Sequence, residues 1–354
     1  MAWPDSRLRD LFGVALPIVQ ARMANSSGVD MAIAVAEAGA LGSLPCAGLA
    51  DDKIRDGVAA IRSRTSKPIN LNFFCHDEPQ RDLEREVAWL ERLAPYYREL
   101  GVEMSAPPLK ATIYRFAEAT CGVVEDLRPE VVSFHFGLPA PELLARVKQA
   151  GCKVICSATT RREALHLAAR GVDAIIAQGA EAGGHRGMFL ETDVATQIGT
   201  LALVQQIVDA VSVPVIAAGG IGDARGIVAS FALGASGTQI GTAYLCCPEA
   251  TTSALHRTAL SEPGRQTVIA DVLSGRPARG ILNRFIREQG PIDPAHPAYP
   301  LATPALAPLR KAAEAKGSGD FSWFWSGQGA PPPMGVRAGD LTRKLADEAL
   351  ALLD

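Results

Sequence analysis

The chain has 354 residues, 48% of them apolar, and a formal net charge of −3 at pH 7, enough material for a large buried core. Its basic residues are scattered, with no Lys/Arg-rich run of five or more, which argues against a nucleic-acid partner. No apolar stretch approaches the ~20 residues of a membrane helix, and MAWPDSRLRD lacks the apolar core of a signal peptide, so no membrane association and a cytoplasmic location are expected. Seven cysteines, an odd number without a CxxC pair, read as reduced thiols, with Cys156, Cys246 and Cys247 as small buried hydrophobes.

Eight apolar runs of strand length follow in chain order, at residues 17–21, 40–44, 69–74, 131–136, 154–158, 174–177, 215–218 and 238–240. Between most of them apolar residues repeat at helical spacing, over 31–38, 53–63, 141–150, 161–169 and 201–211. Regular alternation of strand and helix implies a parallel sheet. The predicted class is α/β, a (β/α)8 TIM barrel; a doubly wound open sheet is the alternative, and eight regular units favour closure. Two stretches exceed a minimal barrel. A charged, helix-like insertion at about 76–128 separates the third and fourth strands, and residues 247–354 continue as helices, a tail with a short proline run at 331–333, and a last helix over 341–353. The expected division is a barrel over 1–246 and a mainly helical substrate or lid region over 247–354, with both additions lying over the C-terminal mouth.

The segment 214–244, PVIAAGGIGDARGIVASFALGASGTQIGTAY, reads as strand, glycine turn, helix, strand and second glycine turn. Gly219, Gly220 and Gly222 remove β-carbons where a ligand must approach the backbone. Asp223 reads as the N-cap of a helix whose Ile227, Val228, Phe231 and Ala235 form one apolar stripe, and Gly241 and Thr242 close the next strand. Two such turns can aim backbone N–H groups and a helix N-terminus at one phosphate, as after strands seven and eight of a (β/α)8 barrel. No GxGxxG turn follows an early strand, so the site suits a monophosphate rather than a dinucleotide.

Upstream, the sixth strand runs into AQGAEAGGHRG, which sets Gln178, Glu181, Gly183, Gly184 and His185 on the loop above the barrel. A histidine with a pKa near ~6.5 can take a proton at neutral pH. A histidine that merely caps a turn is the plainer reading of His185, and its glycine frame and strand-end position weigh against that. His135, in SFHFG at the end of the fourth strand, is a second candidate, equally readable as a satisfied histidine lining the pocket. Isolated histidines without HxxxH or HExxH leave no metal site. No strand-end Lys is present for the Schiff-base chemistry of an aldolase.

Together AQGAEAGGHRG, the glycine-rich segment after 214 and TQIGTAYL closely resemble the nitronate monooxygenase family, formerly called 2-nitropropane dioxygenases. NLNFF, SFHFGLP, YPLAT and FWSGQG fit it too, and the resemblance runs from PIVQARM to Gln328. It implies an FMN-dependent flavoprotein oxidising alkyl nitronates or nitroalkanes, propionate 3-nitronate among them, with O2 to a carbonyl compound and nitrite. By position it implies that Ala21, Arg22, Met23 and Asn72 meet the isoalloxazine and that Gln178 bonds the flavin. Gly183, Gly184, Gly219, Gly220, Gln239, Ile240, Gly241 and Thr242 fall around the phosphate, His185 on the catalytic histidine, and His135 and Tyr299 on the substrate pocket. The partners implied are the small molecule and O2, and a homodimer is the assembly considered.

Departures accompany the matches. Many members turn after the first strand with Pro-Met-Ala-Gly, whereas RMANSSG stands here; some place a Tyr and a Lys where this chain has Thr303 and Ala307. The main rival is an FMN-dependent NAD(P)H:quinone or enoyl-thioester reductase, for which Arg186 or Arg22 could contact the nicotinamide phosphate. A non-enzymatic flavin-binding protein is the rival of another class, and the retained His185 argues against it.

Overall fold

The computed structural model describes residues 2–110, 113–330 and 333–354, so the proline run expected at 331–333 lies outside the described residues except for Pro333. Its strands in chain order are β1 (Ile18–Gln20), β2 (Gly42–Pro45), β3 (Ile69–Phe74), β4 (Val131–His135), β5 (Lys153–Ala158), β6 (Ala174–Gln178), β7 (Gly184–His185), β8 (Val215–Ala218), β9 (Gly237–Ile240), β10 (Thr267–Ala270) and β11 (Ala278–Ile281). Eight of them pair in parallel in the order β1, β9, β8, β6, β5, β4, β3, β2. Leu41, just before β2, donates to the Ile18 carbonyl and accepts from the Gln20 N–H, both at 2.9 Å, which brings the two end strands together and closes the barrel. These are the eight apolar runs of the sequence, each within two residues of its expected bounds. They were legible because strands of a parallel sheet are covered on both faces and read as continuous apolar runs.

Alternation along each strand separates two environments. Outward residues such as Leu71, Val132, Cys156, Ile175 and Ala217 pack against the helices, while inward Val19, Leu41, Val131, Ile155, Ile176 and Ile216 fill the barrel. Leu8 and Phe12, from the helix Arg7–Phe12, plug its N-terminal end. Packing is close enough to demand glycine at Gly42, where a Cβ would lie 2.1 Å from the Ala32 carbonyl oxygen of the helix Val29–Glu37.

The insertion and the C-terminal region share a separate core. Trp89, Leu90 and Leu93 of the helix Leu83–Leu100 pack with Val272, Phe285, Phe321 and with Leu306 and Leu309 of the helix Ala302–Ala315. Beside this core β10, β11 and β7 form a three-stranded antiparallel sheet, in which Ala278 pairs with His185 and Arg279 with Gly184. The final helix, Ala338–Leu353, leaves the region expected to form the lid. It packs on the barrel wall against Val29–Glu37 and Ala224–Ala232, with Tyr244 and Thr342 hydroxyls 2.8 Å apart. Its Leu341, Leu345 and Ala349 recur at helical spacing and find an apolar groove there.

Gly42→Ala is expected to cost about 1–3 kcal/mol through overpacking of helix on strand, read as a lower thermal midpoint by circular dichroism; an unchanged midpoint would contradict the close approach.

Candidate active site

Going up the barrel, the inward positions change from apolar to polar. Two residues beyond Ile155 and Ile176 stand Ser157 and Gln178, and two and four beyond Val131 stand Ser133 and His135. All four are buried, as is Asn72 beside them. Arg22, from the turn after β1, reaches into this layer: its Nη2 donates to Ser157 Oγ at 2.7 Å and lies 3.0 Å from His135 Nδ1, and its Nη1 donates to Gln239 Oε1 at 3.3 Å. Burial lowers the Arg22 guanidinium to about 10, which leaves it charged at neutral pH. His135 Nε2 faces only the His185 carbonyl, at 3.1 Å, so that nitrogen carries the proton and Nδ1 accepts. Burial first, and Arg22 second, push His135 well below its ordinary 6.5, which keeps it neutral.

The loop after β6 is fixed from four directions. Gln178 Nε2 donates to the His185 carbonyl at 3.0 Å and its Oε1 accepts from Gly187 N–H at 2.7 Å. Arg186 is fully buried and bonds the Gln178 and Gly179 carbonyls and Gln197 Oε1 at 2.6–2.8 Å. Glu163, also fully buried, accepts from the N–H groups of Thr159, Phe189 and Leu190. Antiparallel pairing of β7 with β11 holds the outer side. Gly187 must be glycine here, since a Cβ would lie 2.9 Å from Ser157 Cβ and 3.0 Å from His135 Cε1.

These restraints aim the His185 ring. Ser274 Oγ donates its single proton to the Arg276 carbonyl at 3.1 Å, so the 2.9 Å contact between His185 Nε2 and Ser274 Oγ requires a proton on Nε2. The lone pair is then on Nδ1, which no described residue engages. Burial, and after it the Arg276 charge, bring His185 down to about 3. The ring stands among Phe74, Phe136, Tyr299 and Trp325, at centroid distances of 6.5, 5.9, 5.4 and 5.3 Å. Phe136 holds a left-handed φ of 68°, a strained conformation for a bulky residue that the surrounding packing must enforce.

The glycine turns meet on the other side of His185. Gly219 and Gly220 both have positive φ, and a Cβ on Gly183 would lie 2.6 Å from Gly327 N. Ser326–Gly329 therefore threads between the turns: Gly327 N–H donates to Thr242 Oγ1, Gln328 N–H to the Glu181 carbonyl, and Gly329 packs on Gly220. Among the described residues the N–H groups of Gly220, Gly241 and Thr242 have no acceptor, which fits the phosphate of FMN. Arg265 lies behind them, bonded to the Gly329 carbonyl at 2.7 Å. The helix whose N-terminus is expected to join this cradle is capped by Asp223, whose carboxylate accepts from Gly226 N–H.

Arg22, His135, Gln178, His185, Gln239 and Tyr299 thus converge, and Gly241 lies against Ala21 and Met23. Asn72 spends its amide on Ser133, at 3.0 and 3.1 Å. Ile240 points the other way: its side chain packs on the outer wall with Met31 and Leu341, and only its carbonyl, bonded to Ala21 N–H, faces the turn. Gly184 needs glycine for its φ of 76° rather than for space. His76, Arg265, Ser274, Arg276 and Trp325 were not singled out from sequence. A lone Arg in the Gly-Arg-Pro turn 275–277 was the available signal for Arg276. Among the described residues no group of three or more His, Cys, Asp or Glu could hold a metal, and no helix is long and apolar enough to cross a membrane.

The family profile described as nitronate monooxygenase matches residues 5–345. A nitronate monooxygenase of Pseudomonas aeruginosa is 42% identical over 348 residues, covering 97% of this chain and 98% of that protein. One of Paraburkholderia phytofirmans is 40% identical, with 96% and 94% covered. Among solved structures, nitroalkane oxidase from Streptomyces ansochromogenes superposes with a TM-score of 0.90 at 38% identity over 99% of this chain and 100% of that one. FabK from Thermotoga maritima gives 0.74 at 25% identity, over 99% and 98%.

The turn bearing Ser274 and Arg276 is strapped to the Tyr299 segment by His296, whose Nδ1 donates to the Pro297 carbonyl at 2.9 Å and whose Nε2 lies 3.3 Å from Asp271 Oδ2. Burial opposes charge on His296, but the bonds to Asp271 and Pro297 outweigh it and hold its pKa above the ordinary 6.5. The resulting stability is complete below 6.5 and lost as pH rises through the folded-state value. The stability difference between the wild type and His296→Gln, followed by thermal unfolding, should therefore shrink from mildly acidic to alkaline pH; a difference that grows would refute the strap.

Proposed function

The chain belongs to the nitronate monooxygenase family, and on that premise we propose that it oxidises alkyl nitronates with bound FMN and O2 to a carbonyl compound and nitrite. The amides of Gly220, Gly241 and Thr242, backed by Arg265, are the groups to hold the phosphate, and Arg22, Asn72 and Gln178 those to meet the ring. FMN, when bound, supplies the electron acceptance and the reaction with oxygen.

The observation that carries this reading is the state of His185. Its Nε2 proton is committed to Ser274, its Nδ1 lone pair is free, and burial with Arg276 keeps it neutral down to about 3. So strongly depressed an imidazole is a feeble base toward a neutral nitroalkane. A substrate that is already an anion needs no proton taken from it, and the charge that it meets at the mouth is that of Arg22 and Arg276 rather than of the imidazole. Aromatic rings on four sides limit water at the reacting position. Arg186 bears on the reductase alternative: its guanidinium is consumed by backbone carbonyls inside the protein, which removes one of the two cations a nicotinamide phosphate could use.

Acid-released flavin should chromatograph as FMN. Preformed nitronate should be consumed with a kcat/KM about 10²-fold or more above that of its neutral nitroalkane, measured as oxygen uptake with nitrite release. His185→Asn should reduce turnover of the nitronate at least as much as that of the neutral nitroalkane, at unchanged flavin content; a loss confined to the neutral form would make His185 its base and overturn this reading. Rapid anaerobic bleaching by NADH with no response to nitronates would move the chain to the reductases. The pH profile of kcat/KM should show no acidic limb near 6.5, because His185 titrates far below that value.

A further inference from the structure

Arg276 is a cation of the mouth that no acid among the described residues pairs with. Arg276 Nη2 donates to the Met188 carbonyl, and the other N–H groups of this guanidinium have no partner among the described residues. Asp77 and Glu163 act on it only through space, and among the described residues no carboxylate forms an ion pair with it. The guanidinium instead lies 4.1 Å from the centroid of Phe136 and 6.0 Å from that of Tyr299. A largely desolvated cation held without an acid partner is costly unless something else supplies the charge. Two more unsatisfied groups stand beside it. Tyr299 Oη and His76 Nδ1 are buried without a hydrogen bond, their rings 5.1 Å apart, and Tyr299 is also 5.4 Å from His185. Phe136, whose strained backbone sets it under the guanidinium, touches all of these rings.

We propose that Arg276, flanked by the Tyr299 hydroxyl and His76, is the specificity-determining anchor of this site and receives a planar two-oxygen anion carried by the substrate. The proposal rests on the nitronate reading and deepens it. A guanidinium presents parallel N–H groups that match two coplanar oxygens, and the match strengthens where water is excluded. Two groups of a substrate have that shape, the nitronate itself and a carboxylate elsewhere on the molecule. Either would relieve the field that Arg276 exerts on both His185 and His76.

The test compares the wild-type holoenzyme with Arg276→Met and with Arg276→Lys, which keeps the charge but loses the fork and stands in if the Met variant does not fold. Ethyl nitronate carries only the nitronate, propionate only the carboxylate, and propionate 3-nitronate both. Each is titrated against flavin absorbance and tryptophan emission under anaerobic conditions, and the nitronates are also assayed for KM and kcat. The expected result is a weakening by about tenfold to hundredfold in Arg276→Met, with Arg276→Lys between, and a smaller change in kcat. Weakening of both nitronates with propionate unaffected identifies the nitronate as the group held; weakening of propionate and propionate 3-nitronate with ethyl nitronate unaffected identifies the carboxylate. Equal affinities in all three proteins, or no binding of any of the three anions to the wild type, would overturn the anchor. Should the wild type bind these anions but oxidise no nitronate, the proposed oxidation fails alone, and the anchor is still decided by whether Arg276→Met weakens them.

Discussion

His135, Gln178 and His185 are tied together through one stretch of backbone, residues 178–187. The His185 carbonyl is the pivot: Gln178 from β6 and His135 from β4 both donate to it, so two strands two places apart in the barrel share one acceptor. Arg186 supports the same stretch from inside by binding the carbonyls at its base. A loop of glycines would otherwise be the least ordered part of the chain, because glycine loses most conformational freedom on folding. Here that freedom is removed by buried, charge-assisted bonds, each costly to break once its partner is out of water. His185 inherits a fixed direction from these bonds and from the pairing of its own backbone with β11.

The electrostatics follow from what the mouth lacks. Arg22 and Arg276 bring two guanidinium groups to it, and their near neighbours are neutral: serine and glutamine side chains, two uncharged histidines, aromatic faces and backbone carbonyls. An acidic chain overall therefore presents a positive interior at the barrel's mouth. Burial makes this field stronger than the same charges would produce on the surface. The dry aromatic wall and the cations act together, since each excludes what would weaken the other.

Much of the fold was legible because its cause is local. Residues 215–218 are apolar on both faces, as a strand covered on both sides requires. The glycine turns and the N-cap Asp223 were legible for the same reason, each being set by a few neighbouring residues. The reasons behind some of them were not. Gly183 faces the cradle, yet what requires glycine there is the arrival of Gly327, 144 positions later in the numbering of the chain. Arg276 and Ser274 lie between two short strands and show no periodicity to place them. Ile240 was read with its neighbours Gln239 and Gly241, although alternation along β9 turns its side chain to the outer wall. The final helix was visible as a helix, but its destination on the barrel is a matter of tertiary complementarity that its own pattern does not encode.

The pairing of His185 with Ala278 also sets an order of events during synthesis. The barrel can close once β9 has left the ribosome, because all eight strands are then available. At that moment the loop after β6 still lacks β11, Ser274 and the 326–329 segment, and the turn amides face water. Domains fold as their parts emerge, and contacts between distant segments form last. A chain ending soon after β9 would hold all eight barrel strands yet lack every later partner of the mouth, together with the final helix that covers the barrel wall beside Tyr244.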